Sequence, residues 1–196
     1  MKPLLMTASF VLILLVGMAV SLWWQTHPSY SNGWLSVQAP EGGWRLSSSS
    51  NAGVAYAAAG EGPGESAFVS MIGLPADLSP EAMVEFVRHE SMHDPRIARM
   101  QVVESAFEYT VARGYPCVLH RLTAQAPRDH RLRQQQALTC RHPDRPGTGI
   151  VMGFSRLSGT GSTDPAFERQ AQAFFGGVIV HNDLGAPRHA VASLGQ

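Results

Sequence analysis

His89-Glu90-Ser91-Met92-His93 carries the H-E-x-x-H spacing of a zinc-hydrolase helix. Histidines four apart share one helix face and can hold one Zn, while the Glu acts as general base for the bound water. Three features weigh against that chemistry. Asp94-Pro95 ends the helix directly after the second His. No third ligand stands at a metzincin spacing, and a five-residue pattern recurs by chance in a chain with 8 His. The plainer reading is a polar last helical turn, in which His89 and His93 cap carbonyls and complement the negative helix end. A helical wheel sets Glu90 near the middle of the apolar side, which that reading leaves unexplained. The preferred expectation is no catalytic residue and no cofactor. The alternative is a membrane-tethered zinc hydrolase with His89 and His93 as ligands and Glu90 as base.

Cys117 and Cys140 are the only cysteines. Gly114 to Leu122 and Arg131 to Cys140 read as strands, with turn formers in Ala126-Pro127-Arg128-Asp129-His130 between them. A symmetric hairpin centred between Arg128 and Asp129 sets Cys117 opposite Cys140 and Leu119 opposite Leu138. Directly opposed positions lie close enough for a disulfide, so a structural Cys117–Cys140 bond is expected. The main rival is a metal site from Cys117, His120, Cys140 and His142. It is weakened because His120 projects from the other face of its strand to Cys117. Two free buried thiols are a further alternative.

Arg128, Arg131, Arg133, Arg141 and Arg145 make the stretch from Arg128 to Arg145 locally basic. The plain reading is a solvated hairpin face; the sharper one is a surface for an acidic partner or anionic headgroups. Lys+Arg and Asp+Glu balance at 15 each, so no global field draws nucleic acid. No G-x-S-x-G elbow, dinucleotide fingerprint or C-x-x-C occurs, and Gly60 to Gly64 lacks the spacing and Lys of a phosphate loop.

These groups need a compartment, and the first residues supply the clue. Pro3 to Trp24 carry no charge. As a helix, about 21 residues reach roughly 30 Å, the hydrocarbon thickness of a bilayer. Lys2 is the only charge ahead of the run, which orients the rest of the chain outward. Ala19-Val20-Ser21 offers a possible signal-cleavage site. A retained anchor is preferred, because Trp23 and Trp24 fall where the helix would meet the interface. Either way the body of the chain is exported. The expected plan is an anchor or signal over 1–26, a linker over 27–33, an α+β domain over 34–181 and a tail over 182–196. The expected setting is a bacterial inner membrane, crossed once through residues 4–24, with the domain in the periplasm.

Within that domain, Trp34 to Ala39 and Trp44 to Leu46 read as short strands and Ser47 to Asn51 as a polar loop. Gly53 to Ala59 and Ala67 to Gly73 are further strands. Ser79-Pro80-Glu81 opens a helix to about His93, with Ser as N-cap, Pro in the first turn, and an apolar stripe of Ala82, Met83, Phe86 and Val87. Strands follow at 102–112, 115–124, 131–141 and 149–157, the last apolar enough to be central. Asp164-Pro165 opens a second helix that Gly176-Gly177 ends, and Val178 to Val180 forms a last short strand. Consecutive strands with short turns imply an antiparallel sheet with helices packed on it.

This pattern resembles the PsbP/DcrB-like group of small extracytoplasmic α/β/α sandwich proteins. The resemblance rests on Ala39-Pro40-Glu41-Gly42-Gly43-Trp44, Leu78-Ser79-Pro80-Glu81-Ala82-Met83, Gly114-Tyr115-Pro116, Gln134-Gln135-Gln136, and Pro165-Ala166-Phe167 through Val180. It departs at Gly176-Gly177, where the group has a Ser and an aromatic, and a disulfide is not general to the group. The resemblance implies a non-catalytic accessory or binding subunit on a membrane protein complex, with no catalytic residues to carry over. A binding module for a small lipid or hydrophobic ligand between sheet and helices is a third possibility.

Overall fold

A computed structural model describes residues 28–59, 64–95, 97–125, 131–158 and 165–181. Among the described residues, ten strands and two helices run in the order β1 (Ser29–Ser31), β2 (Leu35–Gln38), β3 (Trp44–Ser50), β4 (Gly53–Ala58), β5 (Glu65–Gly73), α1 (Pro80–Met92), β6 (Gln101–Ala112), β7 (Tyr115–Gln125), β8 (Leu132–Arg141), β9 (Thr148–Ser158), α2 (Pro165–Gly177) and β10 (Ile179–Val180). A seven-stranded sheet has the order β3-β4-β5-β9-β8-β7-β6, and a small sheet has the order β1-β2-β10. Every described pairing is antiparallel.

The helices take opposite faces of the large sheet, and strand alternation determines which side chains meet each one. On β7, Cys117 joins the core that holds α2's Phe167, Ala171, Phe174 and Phe175, together with Trp34, Leu35 and Val37 of the small-sheet region. Its neighbour Val118 packs on the other face with Met83 and Val87 of α1. Three layers result, with β9 at the centre of the sheet as its apolar run predicts.

Local chemistry starts α1 where the sequence places it. Ser79 Oγ accepts from the Ala82 N–H at 3.2 Å, and Pro80 occupies the first turn. The N-cap expected at Asp164 lies outside the described residues. So do residues 1–26 with Trp23 and Trp24, most of the turn after β4, the turn 126–130 and the tail from 182. Among the described residues no helix is long and apolar enough to cross a membrane.

One expectation needs correction. Ser47 to Ser50 continues strand β3 and is not a loop: Ser48, Ser49 and Ser50 pair with β4 after a bulge at Ser47. Low intrinsic β-propensity yields here to a ready ladder on β4, and polar serines suit an edge. Within the stretch expected as a linker, residues 29–31 form β1 and pair with β2. Tyr30 O–H donates to Ser50 O at 2.7 Å, and Asn32 Oδ1 accepts the N–H groups of Trp34 and Leu35 at 3.1 and 2.8 Å. A tertiary anchor and a side-chain turn thus order a segment without apolar periodicity.

Candidate binding site

The β6–β7 hairpin turns through Arg113 and Gly114, with Ala112 opposite Tyr115. Both central residues have positive φ, 52° and 82°, as a two-residue hairpin twist demands. Asn or Gly is usual at the first of these positions. Arg113 is the one described non-glycine residue with positive φ, at a cost of about 1 kcal/mol. Its side chain supplies the compensation. One guanidinium nitrogen donates to Val178 O and the other to Gly176 O and Phe175 O, the last at 3.4 Å. The hairpin tip thereby satisfies the free carbonyls at the end of α2 and places a cation at the helix's negative end.

Beside this clamp lies a cavity of about 250 Å³ between the α2 face of the sheet and the end of α2. Leu138, Cys140, Ile150 and Met152 form its floor, and Phe175 and Val178 its roof. Ile179, on its rim, is 55 % exposed. The Cys117–Cys140 disulfide stands at its wall: Cα–Cα is 4.0 Å and the two residues are direct partners across β7 and β8. Every pair from Cys117↔Cys140 to Gln125↔Leu132 keeps the register of a hairpin centred between Arg128 and Asp129.

The H-E-x-x-H segment forms the last turn of α1 and its C-cap. His89 and His93 stack ring on ring at 4.1 Å, and His93 Nδ1 donates to His89 O at 2.7 Å. That is a carbonyl cap, the plainer of the two arrangements considered. Glu90 does not face the core. Its side chain is 61 % exposed and meets His89 Nδ1 at 3.5 Å. The last buried residue of the apolar stripe is Val87, one turn earlier, so the wheel extrapolates a buried face beyond its end. Among the described residues no group of three or more His, Cys, Asp or Glu is placed to hold a metal ion.

The arginine group is divided. Arg131 and Arg133 stand at one end of β8 and Arg141 and Arg145 at the other, about 30 Å apart by strand rise; Arg128 lies outside the described residues. Arg141 donates to Leu78 O at 2.6 Å, fixing the approach to α1, and Arg133 reaches Ser155 Oγ at 3.5 Å. The four described arginines therefore do not share one patch.

His120 and Cys117 do project from opposite faces. His120 is 1 % exposed and stacks on Phe107 at 4.1 Å, with both ring nitrogens buried and unpartnered. Burial pushes its pKa down from 6.5 to about 4. His142 lies beyond β8, where its Nδ1 accepts the Asp144 N–H at 3.1 Å. Burial, then the Arg145 charge, lowers its pKa. Sequence reading overlooked Arg113 and the cavity. A bulky residue at the first position of a tight Arg-Gly hairpin was the available signal, since such a residue needs a compensating contact.

No protein-family model and no curated protein matches the chain. Solved structures do. The solution structure of cyanobacterial PsbP (CyanoP) from Synechocystis sp. PCC 6803 is similar at 13 % identity and a TM-score of 0.53, over 80 % of this chain and 94 % of that one. LpqN, involved in cell envelope biogenesis of Mycobacterium tuberculosis, is similar at 15 % identity and a TM-score of 0.50, over 78 % of this chain and 85 % of that one. The chain has a PsbP-like α+β fold, as its sequence resemblance implies.

Proposed function

We propose that this PsbP-like domain is an exported, non-catalytic accessory or binding subunit, held at a bacterial inner membrane by residues 4–24 and associated with a larger membrane protein complex. The observation that carries export is the disulfide: Cys117 and Cys140 are opposed across a sheet and joined, and such bonds persist in oxidising compartments. The uncharged leading segment, with its single preceding Lys2, supports the same orientation. The fold supports an accessory role by analogy alone. His93 Nδ1, engaged on a carbonyl, supports a structural role for the last turn of α1 over a zinc centre.

The test is purification of the full chain from native membranes in mild detergent, followed by mass spectrometry. Stoichiometric recovery of the same membrane proteins in replicate purifications supports the reading. Repeated recovery of the chain alone counts against it.

A further inference from the structure

We propose that the cavity between β7–β9 and the end of α2 is a site for one unbranched alkyl chain with an anionic head, the chemistry shared by a medium-chain fatty acid and a single-chain acidic lipid. This goes beyond the accessory role and does not depend on it.

Three observations point to that ligand class. The first is volume. About 250 Å³ exceeds the roughly 150 Å³ of a dry cavity able to take benzene. At interior packing density it has room for roughly eight to ten methylenes. The second is the wall. Leu138, Ile150, Met152, Phe175 and Val178 offer apolar side chains. None of the buried side-chain nitrogens and oxygens lacking a partner lies on it. The carbonyls of Phe175, Gly176 and Val178 at the end of α2 are already taken by Arg113. Apart from Tyr115 and the two arginines, the wall gives a polar ligand no polar side chain to pair with, whereas an alkyl chain leaves no buried group of the wall unpaired. The third is charge. The charged residues lining the cavity are Arg113 and Arg141, with no carboxylate among them; the Arg141 guanidinium is drawn to Leu78 O on the α1 side, so Arg113 supplies the charge at the mouth. Arg113 is exposed on the rim. Its guanidinium has five N–H donors, so it can meet an acidic head while it caps α2. An apolar interior with one cationic group at its rim fits an amphiphile whose negative end stays at the mouth.

Methionine-methyl NMR on the full chain in nanodiscs tests this at the site itself, because Met152 lines the cavity and Met152→Leu assigns its signal. Decanoate is expected to shift the Met152 methyl saturably. Across hexanoate, octanoate and decanoate, binding should tighten about fourfold per methylene. Decyltrimethylammonium should bind at least about tenfold more weakly than decanoate, given the Arg113 charge at the rim. Ala112→Phe, which adds volume at the rim, should weaken decanoate about tenfold or more. Leu138→Ala, which enlarges the site, should move the preferred chain length upward and serves if Ala112→Phe does not fold. A decanoyl lysophosphatidylglycerol arm identifies the source: tighter binding than decanoate assigns a membrane lipid, weaker binding a free acid, and both support the site. An unmoved Met152 methyl, equal response to the cationic amphiphile, or decanoate binding indifferent to folded Ala112→Phe or Leu138→Ala overturns the proposal.

Discussion

His120 makes stability depend on pH in a window that few other groups share. Its imidazole is fully buried against Phe107, and the Arg88 guanidinium lies over that same ring at 5.4 Å. Folded, its pKa sits near 4 against an ordinary 6.5. The unfolded chain therefore binds the proton more readily. The stability that neutral His120 preserves is fully present above pH 6.5 and is lost as pH falls towards 4. Linkage gives about 2 kcal/mol lost between pH 7.5 and 5.0, and about 3 kcal/mol for the whole shift. His120→Leu keeps an apolar side chain of similar size and removes both unpartnered nitrogens. At pH 7.5 it should lie within about 1 kcal/mol of the parent or be more stable, since no hydrogen bond is lost. The assay is urea unfolding of both proteins at steps from pH 7.5 to 5.0, with m-values compared. His142, shifted in the same direction, stays in both proteins, so the difference in slope isolates His120. Parallel curves would refute the reasoning, as would a slope in the variant steeper than in the parent.

Arg113→Ala removes the α2 cap but keeps the left-handed turn residue, and should cost about 1–2 kcal/mol in urea unfolding. Arg113→Gly also loses the cap but relieves the backbone, so it should recover about 1 kcal/mol of that loss. Equal stability of the two variants would contradict the turn geometry. At Gly53 a Cβ would fall 2.3 Å from Val69 O and 2.8 Å from Ser70 Cα, backbone atoms of the adjacent strand. Gly53→Ala should therefore cost more than about 2 kcal/mol, read as a fall in Tm of about 5 °C or more. Metal analysis of the purified chain should find less than about 0.1 equivalent of zinc, with no change on His89→Ala. Near-stoichiometric zinc lost in that variant would restore the hydrolase reading.

Much of the fold was legible because strong local rules happened to agree with tertiary demands. Ser79-Pro80 starts α1 by capping chemistry that needs no distant partner. The β7–β8 register followed from two strands placed symmetrically about one turn, and the cysteines then met. Features set by packing were hidden. The serines of β3 pair because β4 lies beside them, and β1 is ordered by Tyr30 reaching Ser50. The wheel misplaced Glu90 because it extends the buried face beyond Val87, the last buried residue of the helix. The arginines looked like one patch in sequence, yet a ten-residue strand separates them in space. The cavity had no sequence mark, because its walls come from β6, β7, β8 and β9, the end of α2 and β10. Only the sheet order brings these together.

Export under a closed disulfide is tested most directly by cell fractionation combined with maleimide gel-shift labelling. The expected result is a chain in the membrane fraction whose Cys117 and Cys140 react only after reduction. A chain in the soluble cytosol with both thiols labelled before reduction would contradict it.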